Sequence, residues 1–179
     1  MEYRGTGDTG PTIKYRRPWH AAGKRPGMNK VLSGSVAGLV ATAPMTAAMV
    51  MLHRQLPPHQ RHPLPPREVT VRTAASVGAH EAVDTEEKRE SATWVSHFGY
   101  GAVTGALYGL VANRFPGPPV ARGILWGLTV WAGSYLGWLP LTGMRRSAIR
   151  QPPQREALMI ASHVVFGGAT GVVHDRLSR

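Results

Sequence analysis

Two stretches of the sequence decide how this chain folds: RESATWVSHFGYGAVTG at residues 89–105 and REALMIASHVVFGGATG at residues 155–171. They align without a gap at a constant offset of 66 residues. Seven positions are identical, and an eighth exchanges one aromatic residue, Tyr100, for another, Phe166. Self-similarity at a fixed spacing indicates an internal repeat. We therefore interpret the chain as two copies of one structural unit.

Each copy is preceded by a further apolar segment, so the chain holds four. They span residues 31–52, 91–112, 123–144 and 157–173, and they contain no Asp, Glu, Lys or Arg. About twenty such residues, rising about 1.5 Å each, cross a hydrocarbon core of about 30 Å. A soluble helix would show a polar face every three to four residues, which the first segment lacks. The sequence predicts an all-α membrane protein with four transmembrane helices, arranged as two tandem helical hairpins.

The charges lie mostly outside these segments. The net charge is +11, and residues 1–30 carry seven Lys or Arg against two acids. We expect residues 1–30 to form a basic, flexible tail that binds anionic lipid headgroups or an acidic protein partner. Nucleic acid is not an expected partner, because no zinc-finger, helix-turn-helix or RNP-like pattern is present. The membrane domain then covers residues 31–179, with repeat 1 at about 31–114 and repeat 2 at about 120–176.

Small residues four positions apart predict how the helices pack. In lipid, helices associate through close van der Waals packing, which such residues permit. Gly34 and Gly38 of the first segment resemble Gly123 and Gly127 of the third, which suggests that these pairs are equivalent. Prolines inside the first and third segments predict kinks, because proline lacks the N–H for a helical hydrogen bond. The predicted packing glycines are Gly34, Gly38, Gly101, Gly105, Gly109, Gly123, Gly127, Gly167 and Gly171, and the predicted kinks are at Pro44 and Pro140.

The loop after the first segment is predicted to contain a short helix. Pro66 is suited to a first helical turn, and the helix is expected to run to Val77 along the membrane surface. Asp84 followed by Glu87 resembles a capping box that starts the second long helix. Residues 69–88 form an insertion that the second repeat lacks.

His97 and His163 are the sharpest candidates for chemistry. They are repeat equivalents, and each precedes a glycine by four positions. A polar residue inside a membrane span is a functional hypothesis by default. If the two imidazoles approach one another they could hold a haem or another tetrapyrrole axially. The alternatives are proton handling and, as the plainer interpretation, interhelical hydrogen bonds; no metal site or other cofactor is predicted.

From His97 onward the chain resembles the YagU-like family of small bacterial inner-membrane proteins. The resemblance covers about half of the chain and rests on the order and spacing of ordinary membrane-helix motifs. It implies a multi-pass protein of the bacterial inner (cytoplasmic) membrane, and it implies no established activity. The residues that carry the resemblance are His97, Gly105, Tyr108, Phe115, Pro116, Gly123, Trp131, Pro140, Leu141, Gly143 and His163.

The sequence gives no evidence of catalysis. It contains no cysteine, and no nucleophile–base pair or phosphate-binding loop is evident. We expect a non-enzymatic protein that acts by helix packing, as a self-associating unit or as an accessory subunit of a membrane complex. A haem- or pigment-binding protein and a small permeation or transport unit are the alternatives. The basic tail favours cytoplasmic N- and C-termini.

Overall fold

The computed structural model describes residues 28–179, and within that range it contains helices and no strand. The predicted flexible tail, residues 1–30, lies almost entirely outside the described residues. The long helices are α1 (Lys30–Arg54), α3 (Glu86–Val111), α4 (Pro119–Ala132) and α6 (Pro153–Leu177); α2 (Pro65–Ser76) is shorter, and α5 (Leu139–Leu141) is a single turn.

Helix α3 begins ahead of its apolar segment, as the predicted capping box implied, but its cap is a different residue. Thr85 caps it, because the Thr85 hydroxyl oxygen accepts the backbone N–H of Lys88 at 3.3 Å. The predicted cap at Asp84 is therefore wrong by one residue. The Asp84 carboxylate instead accepts a hydrogen bond from the Lys88 ammonium group.

The third long helical stretch is irregular near its centre. Between α4 and α5 the backbone forms a π-helical segment, Gly133–Trp138, in which Gly137 departs from helical geometry with φ −105° and ψ −107°. Pro140 follows three residues later and has no N–H to bind the carbonyl of residue 136. Pro44, by contrast, lies inside α1, which continues without interruption to Arg54.

The long helices pack side by side in the order α3, α1, α6, α4. The two hairpins predicted from the repeat are thus the pairs α1–α3 and α4–α6, and the α1–α6 contact joins them. The backbone N–H of Met28 donates to the carbonyl of Leu177 at 3.2 Å. The start of α1 and the end of α6 therefore lie at the same end of the bundle.

Several polar side chains are buried in the bundle, and several large apolar ones are exposed on its surface. Ser162 and Thr170 are fully buried, whereas Leu32 is 54% exposed and Val103 is 60% exposed. The buried hydroxyls donate to carbonyls one turn back in their own helices, for example Thr170 to Phe166. Two helices, α1 and α6, are long and apolar enough to cross a membrane. The four-span arrangement stays a prediction for α3 and for the stretch from α4 to α5.

Glycines bring the helices of each hairpin into backbone contact. A Cβ added at Gly38 would collide with the carbonyl of Gly101 and lie 2.8 Å from the Cα of Gly105. In the second hairpin, a Cβ at Gly123 would collide with the carbonyl of Gly167 and lie 2.8 Å from the backbone nitrogen of Gly171. Eight of the nine predicted packing glycines make such backbone approaches across a hairpin, and the ninth, Gly101, meets the Thr42 side chain first.

These contacts correct the predicted equivalence of the first helices by one turn. Gly101 and Gly167 are repeat partners, and Gly38 meets the first as Gly123 meets the second. Gly38 is therefore the structural counterpart of Gly123, and Gly34 is not. In the same alignment the counterpart of Gly127 is Thr42. A Cβ added at Gly101 would collide with the hydroxyl oxygen of Thr42. The sequence match misled because the four-residue glycine spacing allows alignments one turn apart.

Candidate functional site

The two repeats pack with different side chains at equivalent positions, which makes the bundle asymmetric. With Gly38 aligned to Gly123, Ala37 corresponds to Arg122 and Ala41 corresponds to Trp126. Ala37 and Ala41 are fully buried, and their small size allows α1 to lie close to α6. On α4, the bulkier side chains of Arg122 and Trp126 keep the helix from packing closely on α3.

Helices α3 and α4 are instead bridged by aromatic side chains. The rings of Trp126 and Tyr108 lie 6.1 Å apart between centroids, and Trp126 also packs on a buried cluster of Ala41, Met45 and Phe166. Further along, the Tyr100 hydroxyl lies 3.0 Å from the Ser134 hydroxyl. The space between these helices is therefore only partly filled.

A cavity of about 510 Å³ occupies this space beneath α2. Its volume is within the range of about 300–1,000 Å³ that is usual for small-molecule sites. No charged side chain lines it among residues 28–179, and most of its wall is apolar. The wall is formed by Thr42, Met45, Met49, Pro65, Pro66, Val69, Thr70, Thr73, Ala74, Ala92, Val95, Ser96, His97, Tyr100, Gly101, Thr104, Val130, Ser134, Tyr135, Trp138, Leu139, His163 and Phe166.

The structure brings His97 and His163 to the same cavity. His97 Nε2 lies 3.2 Å from the hydroxyl oxygen of Thr46. The Thr46 hydroxyl already donates to the carbonyl of Thr42 at 2.7 Å. Since a hydroxyl has one hydrogen, Thr46 accepts the bond from His97. This arrangement favours the His97 tautomer that carries its proton on Nε2 and leaves Nδ1 as an acceptor.

His163 is held through its other ring nitrogen. Its Nδ1 donates to the carbonyl of Met159 at 2.8 Å, one turn earlier in α6. The ring is almost fully buried, and Tyr135 packs against it edge-on with 5.8 Å between centroids. This bond favours the Nδ1-protonated tautomer and leaves Nε2 as an acceptor, with no protein partner among residues 28–179. The two repeat-equivalent histidines therefore differ in which nitrogen the protein uses.

Helix α2 covers one end of the cavity, and the predicted short helix is confirmed as Pro65–Ser76. Arg67 donates two hydrogen bonds to the Glu86 carboxylate, at 2.6 and 2.7 Å. These bonds hold the pKa of Glu86 below its ordinary value. The Thr70 hydroxyl lies 2.5 Å from the Ser96 hydroxyl, which fixes α2 on α3 next to His97.

Two buried arginines stabilise this end of the molecule. Arg145 has a side chain only 4% exposed, pairs with Glu68 of α2 at 3.0 Å and lies over the Tyr135 ring. Arg155 is also buried and donates to the carbonyls of Gln60, His62 and Pro63.

Sequence analysis missed both of these arginines. The repeat could have indicated Arg155, because it aligns with Arg89. In the structure Arg89 likewise donates to loop carbonyls, those of Val83 and Asp84. Arg145 has no such indication, since its burial depends on the long-range docking of α2.

The mouth of the cavity lies on the apolar outer surface. Val95, Tyr100 and Trp138 belong to the cavity wall, yet they are 74%, 42% and 38% exposed. They come from α3 and from the π-helical segment, on either side of the gap between those helices. The cavity therefore opens sideways between them.

One comparison with known proteins gives a match. A family model described as a protein of unknown function, DUF1440, matches residues 46–171. The matched range includes both cavity histidines and all of α2, α3, α4 and α5. No curated protein and no solved structure matches the chain.

Proposed function

The chain belongs to the family of unknown function DUF1440, and from that premise we propose that it is a non-enzymatic membrane protein that binds the apolar chain of a lipid-like molecule. The binding site is the cavity between α3 and the stretch from α4 to α5. The observation that carries the proposal is the position of the cavity mouth, between exposed apolar side chains rather than on a polar surface. A molecule that enters there comes from surroundings as apolar as the wall itself.

In this proposal all four long helical stretches cross the bilayer. The exposed apolar side chains of α3, among them Val103 and Leu110, support a lipid-facing position for that helix. On the third stretch, Leu125 and Leu136 have the same character. Because irregular backbone is tolerated in a membrane where it lines a cavity, the π-helical segment is compatible with a span.

The cellular location, the membrane orientation and the partners are also part of the proposal. The resemblance to the YagU-like family supports the bacterial inner membrane, and the basic residues before α1 favour cytoplasmic N- and C-termini. Anionic headgroups are the proposed partners of residues 1–30. By binding a lipid-like chain the protein would act alone, as an oligomer, or as an accessory subunit of a membrane complex.

The proposal is tested by asking what accompanies the protein through purification. The protein is isolated from its membranes in mild detergent, and its organic extract is analysed by mass spectrometry. We expect one apolar molecule per chain. Ala92→Phe, which places a ring in the cavity wall, should remove it.

A matched variant controls for the effect of an added phenylalanine. Val103 is on the same helix, is largely exposed and does not line the cavity. Val103→Phe should therefore keep the bound molecule at the wild-type level. If Ala92→Phe and Val103→Phe retain it equally, the molecule lies elsewhere and the cavity is not the binding site.

A further inference from the structure

We propose that the ligand of this cavity is a long-chain alcohol or phenol, whose hydroxyl group donates a hydrogen bond to His97 or His163. This inference rests on the proposed function and adds the chemical class of the ligand. Its basis is the set of hydrogen bonds that each histidine already makes within the protein.

The two imidazoles offer acceptors and no donors to the cavity. His97 uses its Nε2 proton on Thr46, and His163 uses its Nδ1 proton on Met159. A neutral imidazole has one N–H, so the second nitrogen of each ring carries a lone pair. Both rings line the same cavity, and neither free nitrogen is among the fully buried atoms that lack a partner. A ligand that filled the cavity without bringing a donor would bury these lone pairs unpaired, which is costly. The ligand must therefore bring a donor.

Among residues 28–179, no hydroxyl of the cavity wall donates to either free nitrogen. The Thr42 hydroxyl donates to Gly38, the Thr46 hydroxyl to Thr42, and the Thr104 hydroxyl to Tyr100. Each of these bonds is made to a carbonyl one turn earlier in the same helix. The Tyr100 and Ser134 hydroxyls bond to each other, and the Tyr135 hydroxyl donates to the sulfur of Met159. The histidine lone pairs thus stay available for a ligand.

The absence of charge around the cavity selects a neutral donor. No acidic side chain among residues 28–179 lines it, so an ammonium group would be buried there without a counter-charge, which is costly. A hydroxyl group donates a hydrogen bond without a charge. The rest of the wall is apolar, which suits the chain to which the hydroxyl is attached.

The location of His97 also fits an amphiphile. Its neighbour Ser96 touches Thr70 of α2, the helix that covers the cavity and is proposed to lie at the membrane surface. A lipid-like alcohol placed with its hydroxyl at this level would extend its chain toward the bilayer interior. Both ends of the ligand would then meet surroundings of matching polarity.

The experiment compares two probes of equal chain length, 1-dodecanol and its methyl ether, on the full-length protein in nanodiscs. The ether keeps the oxygen acceptor and loses the donor. We expect the alcohol to bind about tenfold more tightly, as one hydrogen bond to a buried acceptor allows. The affinities are measured by competition with a fluorescent fatty-chain probe.

Conservative variants test the histidines without removing their structural bonds. His163→Asn keeps a donor near Met159, and His97→Gln keeps a donor near Thr46. Each replaces the free ring nitrogen by an amide oxygen that does not occupy the same position, so the acceptor is displaced. At least one of the two should reduce the preference for the alcohol to about onefold and leave the ether affinity unchanged. Thermal unfolding of each variant verifies that it is folded.

The outcomes separate the two proposals. If the alcohol and the ether bind equally to the wild type, the hydroxyl inference is wrong while the apolar site stands. If the preference persists in both variants and in the double variant, the histidines are not the acceptors. If neither probe binds, the proposed function and the inference both fail.

Discussion

A close backbone contact of the first hairpin, at Gly38, gives a stability prediction that can be worked from the structure. In Gly38→Ala the new Cβ would lie 2.8 Å from the Cα of Gly105, whereas carbon atoms in contact are about 3.5–4.0 Å apart. This Cα and the carbonyl oxygen of Gly101, with which the new Cβ would collide, both belong to the backbone of α3. No side-chain rotation can therefore relieve the contact. Helices α1 and α3 must therefore separate by about 1 Å.

The cost follows from the dispersion energy lost along that interface. The attraction between two carbon atoms in contact is about 0.1–0.2 kcal/mol. A gap of about 0.5–1 Å removes a quarter to a half of that attraction. For on the order of 40 atom pairs, the loss is about 2 kcal/mol. The higher helix propensity of alanine returns up to about 1 kcal/mol, which leaves a net destabilisation of about 1 kcal/mol.

Gly99 of the partner helix α3 provides the control, because nothing lies within 4 Å of a Cβ built there. Gly99→Ala should gain the propensity and lose no packing, so the two variants should differ by about 2 kcal/mol. The free energy of unfolding is measured by titrating SDS into mild-detergent micelles and following tryptophan fluorescence. Equal stability of Gly38→Ala and Gly99→Ala would refute the argument that backbone contact requires glycine.

Three further predictions concern α2 and the cavity. Glu68→Gln should lower the free energy of unfolding by about 2 kcal/mol. This is less than the ~3–5 kcal/mol of a fully buried pair, because Glu68 is partly exposed while its partner Arg145 is buried. The control is Arg72→Met, which removes an exposed ion-pair partner of Glu68 and should cost less than about 1 kcal/mol in the same SDS titration. The pKa of Glu86 is lowered in the folded state by Arg67, so this contact stabilises α2 above the ordinary glutamate pKa of about 4.3 and is lost as the pH falls through the lower folded value. The hydrogen-exchange protection factors of α2, corrected for the slower intrinsic exchange at low pH, should then fall, and an Arg67→Met protein should show no such change. The visible absorption spectrum should lack a haem band, and a stoichiometric band would assign the cavity histidines as axial ligands instead.

The repeat made the hairpins predictable. An identical Ser-His pair and two glycines at one offset placed α3 and α6 in equivalent roles, and the structure pairs each with the helix that precedes it. The apolar segments also identified the cores of the long helices. Their ends were harder to place, because the charged first turn of α3 carries no apolar pattern and is defined by Thr85.

The asymmetry of the bundle could not be predicted. Either alignment of the repeats sets an alanine, Ala37 or Ala41, opposite Trp126, but the sequence does not show that Trp126 faces α3, where its ring packs on Tyr108. Glycine spacing alone cannot distinguish the two alignments, since both put small residues at the contact. The cavity follows from that asymmetry, so the sequence could propose the histidines without indicating the space they line.

The location of a bound apolar chain tests the central claim most directly. The protein is reconstituted with a dodecanol that carries a diazirine on its chain, irradiated, digested, and mapped by mass spectrometry. We expect adducts concentrated within residues 92–104 and 130–139, and their loss in Ala92→Phe. Adducts spread over the exposed apolar faces, such as Leu39 and Val40 of α1, and unchanged in that variant would contradict it.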